Sequence, residues 1–176
     1  MPATEQISEA LIRENITRAV GHVFKTMLGR ETTLIPASPA AAPQWPLRLS
    51  SPEVARPHVV GTVGFLGDAN GLIYLSMDLE FARLCTCHLL GMTPAELTEA
   101  GDETINDAIG ELTNMTAGVF KNGLCDSGFS CRLTIPSILR GTNFTIDPVT
   151  SSTRWIFYFD CSGHRLVVDV HMKPGE

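Results

Sequence analysis

The chain has 176 residues, of which 44% are hydrophobic and 18% are charged, and its formal net charge at pH 7 is −6. This length predicts one domain over residues 1–176 with its own hydrophobic core. The composition is that of an ordinary globular protein and does not suggest a disordered tail, and the acidic balance argues against general nucleic-acid binding, which needs clustered Lys and Arg. The sequence lacks the pattern of a signal peptide and an apolar run of roughly 18 residues, so we expect a cytoplasmic protein with no membrane partner.

A first long helix is predicted over residues 5–28. Gly29 follows it as a helix stop. The apolar residues of this segment recur at steps of three and four, which is the spacing of one helix face. They include Ile7, Leu11, Val20, Val23, Phe24, Met27 and Leu28.

A proline-rich segment follows at residues 36–57. Its six prolines are spread through a stretch rich in Ala and Ser, and proline cannot donate a hydrogen bond to a strand ladder. We interpret the segment as a long loop within the domain, with at most a short strand near residues 47–49.

Strand and helix patterns alternate in the middle of the chain. Two β-rich runs between residues 58 and 77 flank a turn of Asp, Asn and Gly, which predicts a hairpin. A helix is predicted over residues 78–90 and a short one ends near Gly101. Asp78 and Thr93 are the expected N-caps of these two helices.

The last part of the chain adds a second long helix and more strands. The helix is predicted over residues 102–122 and closes at Gly123. An extended stretch follows at 131–139, and two strong strands are predicted at 153–160 and 165–172. The whole pattern predicts an α+β fold, an antiparallel-rich sheet with two long helices packed on it.

The helix at residues 102–122 has two different faces. At about 100° per residue, one face should meet the sheet, and it consists of Ile105, Ile109, Leu112, Thr116, Val119 and Phe120. A narrow stripe on the opposite side carries Asp107, Glu111, Asn114 and Gly118. Packing does not explain this stripe, because Asn is a mediocre helix former and Gly costs about 1 kcal/mol relative to Ala. On its own, such a stripe is most often a solvated polar face.

The run Asp107-Ala-Ile-Gly-Glu111-Leu-Thr-Asn114-Met resembles the D-x-x-x-E-x-x-N motif of the CheC/CheX/FliY phosphatases. The hairpin at 64–77 and the segment at 133–141, with its proline and glycine, are similar to the neighbouring parts of that family. On the first helix, Glu5, Glu9 and Glu14 are followed three residues later by Ser8, Ile12 and Thr17. The first helix therefore has no second copy of the motif. CheC-like members of the family commonly carry one copy on each long helix, so a single copy resembles the CheX-like branch.

The resemblance implies a phosphatase that acts on the aspartyl phosphate of a CheY-like response regulator, and a homodimer. The dimer is expected to form through an edge strand, for which either 153–160 or 165–172 could serve. Asn114 would position the attacking water, and Glu111 would bind the active-site Lys of the regulator. Asp107 and Gly118 would support the binding of that partner. No metal or cofactor is expected on this chain itself, because the regulator would supply Mg²⁺. An amide suits the water-positioning task, since it accepts a hydrogen bond without adding negative charge beside a phosphate.

Two other interpretations stay open. One is a non-catalytic docking or scaffold module of the same fold in a signalling or flagellar-switch complex, and the other is a small-molecule-binding domain. The five cysteines are expected to be free, partly buried thiols. Cys85 and His88 have the spacing of half a metal site, but no second Cys/His pair follows.

Overall fold

The computed structural model of the chain describes residues 7–36, 47–48, 56–143 and 145–175. Within these ranges the helices are α1 (Glu9–Leu28), α2 (Leu79–Leu90), α3 (Pro94–Ala100) and α4 (Asp102–Asp126). The strands are β1 (Thr33–Leu34), β2 (Leu47–Arg48), β3 (His58–Gly67), β4 (Ala69–Asp78), β5 (Cys131–Leu133), β6 (Ser137–Gly141), β7 (Thr145–Ile146), β8 (Thr153–Cys161) and β9 (His164–Pro174). The predicted α+β class is confirmed.

The main sheet is antiparallel throughout and has the order β1-β8-β9-β4-β3-β5. Strand β6 also pairs with β3, so β5 and β6 follow each other along the same edge of that strand. Strands β2 and β7 form a separate two-stranded ribbon. The sheet therefore ends at β5 and β6 on one side and at β8 with the short β1 on the other.

The helices pack on one face of the sheet. Alternate residues of each strand point to that face, so Leu166, Val168 and Val170 of β9 join the main core with the inner faces of α1 and α4. A smaller cluster of Ile146 and Val167 lies on the opposite face. None of the helices in the described ranges is long and apolar enough to cross a bilayer.

The opposite face of the sheet also holds a buried polar group of three side chains, the Arg154–Asp169–His171 cluster. The Arg154 guanidinium donates two hydrogen bonds to the Asp169 carboxylate and one to the carbonyl of Ile146. His171 Nε2 lies 3.0 Å from Asp169 Oδ1. Because Asp169 is fully buried, its charge needs these partners, and the cluster ties β8, β9 and β7 together.

Local signals account for most element ends. Ser8, Asp78 and Thr93 cap their helices through side-chain oxygens, and Gly29 ends α1 in the left-handed conformation. Strands β8 and β9 are joined by Ser162 and Gly163, whose φ angles are 53° and 87°. Two positive φ values match the right-handed twist of a tight hairpin.

Two predicted helix boundaries are wrong. The first helix begins at Glu9 rather than residue 5, because Ser8 is extended and accepts a hydrogen bond from Leu11 N as the N-cap. The helix predicted to close at Gly123 continues to Asp126. Gly123 lies inside it, and the absence of a side chain there is explained by α1, because a Cβ would collide with Asn15.

The proline-rich segment is described only in part. Residues 37–46 and 49–55 lie outside the described residues, so the predicted loop is not tested there. The short strand expected near 47–49 is confirmed at Leu47–Arg48, where it pairs with β7. The sequence also suggested 153–160 or 165–172 as a sheet edge for a dimer. The second suggestion is wrong, because β9 lies between β8 and β4.

Candidate functional site

The rotation of α4 about its own axis is set by close contacts on three sides. A Cβ on Gly61 of β3 would overlap the Thr113 side chain, so this glycine lets α4 approach the sheet closely. The side of α4 at Gly110 faces Ile138 of β6, and the side at Gly123 faces α1. The remaining side of the helix is therefore directed away from the protein.

An ion pair holds the first turn of α4. Arg140 Nη1 of β6 lies 3.0 Å from Asp102 Oδ2, and the Arg140 side chain is only 23% exposed. This contact matters because α4 starts at Gly101 without a side-chain cap. Strand β6, at the edge of the sheet, therefore contacts α4 twice. Arg140 binds its first turn, and Ile138 packs against its side at Gly110.

The predicted stripe lies on the outward side of α4. Asp107 and Glu111 are exposed, while Asn114 and Gly118 are half-buried. The space around Gly118 is open, with no atom within 4 Å of the place where a Cβ would stand. The opposite face is in the core as predicted, with Ile105, Ile109, Leu112, Thr116 and Phe120 buried and Val119 half-buried. The sequence therefore predicted the two faces of α4, although Asn114 and Gly118 were expected to be exposed and are half-buried.

The polar groups of the stripe have no hydrogen-bond partner among the described residues. Thr113 and Thr116, which flank Asn114, turn their hydroxyls back to the carbonyls of Ile109 and Leu112. The Asn114 amide stays free to accept one hydrogen bond and donate another to an external group. The carboxylates of Asp107 and Glu111 favour a cation on the same surface.

Neither a metal site nor a cysteine accounts for the polar residues of this stripe. In the described part of the chain, no three His, Cys, Asp or Glu side chains are grouped to hold a metal ion. The five cysteines are free, as predicted. Burial raises the pKa of Cys85 to about 12, so that thiol stays protonated at neutral pH. Cys85 is buried while His88 is exposed, so the two do not form half of a site.

A separate cleft of about 690 Å³ lies between α2, the start of α3 and the β8–β9 turn. Its lining is mostly apolar, and two of its polar side chains, Arg83 and His164, have partners within the protein. Arg83 donates to Thr98, and the His164 ring stacks on Phe81 at 4.7 Å. No residue of the α4 stripe lines this cleft. Its size alone does not make it the functional site.

Sequence analysis missed the residues that hold α4 in place. Gly61 had a usable signal, because an isolated glycine in a strand often marks the close approach of another backbone. Arg140 and Ile138 had none, since their contacts with α4 depend on how β6 pairs with β3. That pairing joins residues about 80 positions apart and cannot be read from local patterns.

Comparison with known proteins gives a family. A model of the family described as "Chemotaxis phosphatase CheX" matches residues 59–160, which include the whole stripe. No curated protein matches the sequence.

Solved structures show the same fold. A chemotaxis protein CheX from Desulfovibrio desulfuricans matches with a TM-score of 0.72 at 23% identity, covering 92% of this chain and 99% of that chain. A CheX–CheY–BeF3–Mg²⁺ complex from Borrelia burgdorferi matches with a TM-score of 0.68 at 24% identity, covering 92% and 97%. FliY from Thermotoga maritima matches with a TM-score of 0.60 at 18% identity, covering 91% and 85%. At these identities the likeness establishes the fold alone.

Proposed function

This chain belongs to the family of the chemotaxis phosphatase CheX, and we propose that it accelerates hydrolysis of the aspartyl phosphate on a CheY-like response regulator. One observation carries the proposal. Glu111 and Asn114 lie on the outward side of α4 with no partner among the described residues, inside the region that matches the family. The Borrelia complex of CheX with CheY, BeF3 and Mg²⁺ supports the class of partner.

Asn114 is the proposed catalytic residue. Phosphoryl transfer to water needs little covalent help from the protein, but it needs a water molecule held in line with the leaving oxygen. A neutral amide accepts a hydrogen bond from that water and adds no negative charge beside the phosphate. A carboxylate in the same place would be repelled by the phosphoryl oxygens. The half-buried position of Asn114 limits the directions in which its amide points.

Glu111 is the proposed docking residue. It stands one turn before Asn114 on the same side of α4, and its exposed carboxylate is suited to an ion pair with the active-site Lys of the regulator. That ion pair would set the position of the regulator so that Asn114 faces the phosphate. Asp107, one turn further towards the start of α4, adds negative charge for the same partner. Gly118 gives the partner room to approach.

The remaining chemistry belongs to the regulator. In this proposal, the regulator supplies Mg²⁺ and the cationic groups that neutralise the phosphoryl oxygens, and this chain binds no cofactor. Response regulators of the CheY type are cytoplasmic, so the proposal places the chain in the cytoplasm.

A homodimer through a sheet edge is a further part of the proposal. Strand β1 pairs with β8 only at Phe159 and Asp160, so residues 153–157 lack a described neighbour along the outer edge of β8. An unpaired edge can accept a strand from a second copy. Sedimentation velocity of the wild type and of an Ile156→Pro variant tests this, because proline removes a donor from that edge. A monomeric wild type would contradict the dimer.

The decay of a phosphorylated CheY-like regulator from the same organism tests the function. We expect the chain to shorten the phosphoryl lifetime, and Glu111→Ala to weaken both binding and rate because it removes the partner of the Lys. Glu103→Ala, an exposed acid at the start of α4, is the matched control and should behave as wild type. Binding with no change in phosphoryl lifetime would contradict the phosphatase and favour the scaffold interpretation.

A further inference from the structure

Ile135 has no structural reason to be apolar. Its side chain is 87% exposed, whereas the other exposed large apolar residues in the described ranges are 36–49% exposed. It lies in the short connector between β5 and β6. A single exposed apolar side chain is ordinary in a soluble protein. Ile135 is of interest because the connector that carries it lies beside α4, whose outward stripe is the proposed binding surface for the regulator.

Strand pairing places the connector beside the middle of α4. On one side of the connector, Leu133 pairs with Phe65, whose ring contacts Phe120 of α4 at a centroid distance of 6.0 Å. On the other side, Ile138 pairs with Gly61. Gly61 lies against Thr113 of α4, so the connector runs alongside α4 between residues 113 and 120.

The same flank of α4 borders Asn114 and Gly118. Gly110 and Ala117 are buried on the flank towards β5 and β6, and Gly110 faces Ile138. Asn114 and Gly118 come next around the helix, and the space over Gly118 is open. The connector that carries Ile135 therefore borders the outward stripe of α4, between the levels of Thr113 and Phe120.

The connector holds Ile135 rigidly despite its exposure. Thr134 is fixed to Gly64 by two hydrogen bonds, from Thr134 N to the Gly64 carbonyl at 2.8 Å and from Gly64 N to Thr134 Oγ1 at 2.9 Å. Pro136 follows and restricts its own φ angle. A side chain on such a backbone loses little backbone freedom when a partner covers it, which favours binding.

We infer that Ile135 is an apolar contact for the response regulator, packing against an aliphatic or aromatic patch that lies beside the phosphorylated Asp of that partner. The inference rests on the proposed function and adds a specificity-determining residue to it. Interfaces commonly combine a charged contact with an apolar one that excludes water from it. Here Glu111 would give the charged contact, and Ile135 would cover the side of the site at Asn114.

Affinity for the regulator tests the inference. The probes are the phosphorylated regulator for kinetics and its beryllofluoride-activated form for equilibrium binding. We expect Ile135→Ala to weaken binding about tenfold and to raise KM with kcat unchanged, because the contact acts equally before and during the reaction. Ile135→Val, which keeps an apolar side chain, should stay within about twofold of wild type. All variants should unfold at the wild-type temperature, since the side chain is exposed.

Leu139→Ala is the matched control. Leu139 is 46% exposed on the same sheet edge, but it pairs with Val60 and so points to the face opposite α4. It should bind the regulator as wild type does.

Each result decides the inference. Equal binding by Ile135→Ala and an active wild type would overturn it and leave the phosphatase intact. A wild type that neither binds nor accelerates decay would overturn the proposed function and this contact with it. A change in oligomeric state without a change in regulator affinity would assign Ile135 to a contact with a second copy instead, and would also overturn the inference.

Discussion

The outward stripe of α4 and the Arg154–Asp169–His171 cluster lie on opposite sides of the sheet, and their polar groups meet opposite surroundings. Asp169 is fully buried and receives two hydrogen bonds from Arg154. Glu111 is exposed and has no partner among the described residues. The difference separates two uses of polar side chains. In the interior they must be paired to be tolerated, and on the stripe they stay available for another molecule.

Breaking the buried cluster should have the largest effect on stability. Arg154→Met would leave the Asp169 carboxylate buried without its guanidinium, and we expect a loss of about 3–5 kcal/mol in the free energy of unfolding. Urea denaturation measures it. The phosphatase rate of the folded fraction should stay unchanged, because the cluster is on the face opposite α4.

An exposed ion pair is the control for that experiment. Lys25 and Glu31 are 2.8 Å apart, with their side chains 68% and 76% exposed. Glu31→Gln should leave the urea midpoint unchanged, since solvent screens such pairs. A similar urea midpoint for Arg154→Met and Glu31→Gln would show that the buried cluster does not contribute as described.

Moving α4 should affect both stability and activity. Gly61→Ala would push its Cβ into the Thr113 side chain, and overpacking of this kind costs about 1–3 kcal/mol. The displaced helix would also carry Asn114 away from its position, so the phosphoryl lifetime should lengthen. The double variant Gly61→Ala/Thr113→Ala should lose less free energy of unfolding than the sum of the losses in the two single variants, because Thr113→Ala removes the atoms that the new methyl group would meet. Strict additivity would mean that the two residues do not press on each other.

Filling the open position on the stripe should raise stability while lowering affinity. Gly118→Ala has room for its methyl group and gains about 0.8–1.0 kcal/mol of helix propensity. We expect weaker binding of the regulator, because the methyl group occupies the space left for it. Gly110→Ala is the control, since Gly110 is buried on the flank towards β6, where its Cβ would meet Ile138 at an ordinary 3.9 Å. If Gly118→Ala binds as tightly as Gly110→Ala does, the regulator does not approach there.

The smallest expected effect is on thermal stability, and it should differ between two exposed glutamates, Glu96 and Glu111. The Glu96 carboxylate accepts hydrogen bonds from Thr93 N and Thr93 Oγ1 at 2.7 and 2.9 Å, and these bonds lower its pKa. The stability it gives is therefore present at neutral pH and is lost as the pH falls through its lowered pKa. Glu96→Gln should destabilise slightly at pH 7 and not in strong acid, as measured by thermal unfolding. Glu111→Gln removes a carboxylate that has no such hydrogen bonds, so it should leave the stability at pH 7 unchanged. A larger loss for Glu111→Gln at pH 7 would contradict its lack of a partner.

Local patterns predicted most of the fold. The periods of α1 and α4, the caps Asp78 and Thr93, and the two strong hairpins are properties of neighbouring residues, and the structure confirms them. Of the two helix-boundary errors, the start of α1 was a missed local cap at Ser8, and the end of α4 depended on a distant residue. Gly123 was expected to stop the helix, but it is a crossing point with Asn15 of α1.

The site was predicted to a lesser degree. The position of the stripe on the outward side of α4 followed from helix geometry, because the apolar residues had to face the sheet. What holds that helix in place was not predicted. Ile138 and Arg140 reach it only through the pairing of β6 with β3, and the isolated glycine Gly61 was a usable signal that the analysis of the sequence missed. Ile135 was missed for the same reason. The roles of Glu111 and Asn114 came from a resemblance and stay predictions.

The most direct test of the central claim is the phosphoryl lifetime of the CheY-like regulator with wild type, Asn114→Ala and Asn122→Ala at saturating concentration. Asn122 is exposed on the same side of α4, two turns or about 12 Å beyond Asn114, so it matches the chemical change at a distance from Glu111 and Asn114. We predict that Asn114→Ala loses about 10²–10³ in rate while it still binds the regulator, and that Asn122→Ala keeps the wild-type rate. An Asn114→Ala variant with the full wild-type rate would contradict the account.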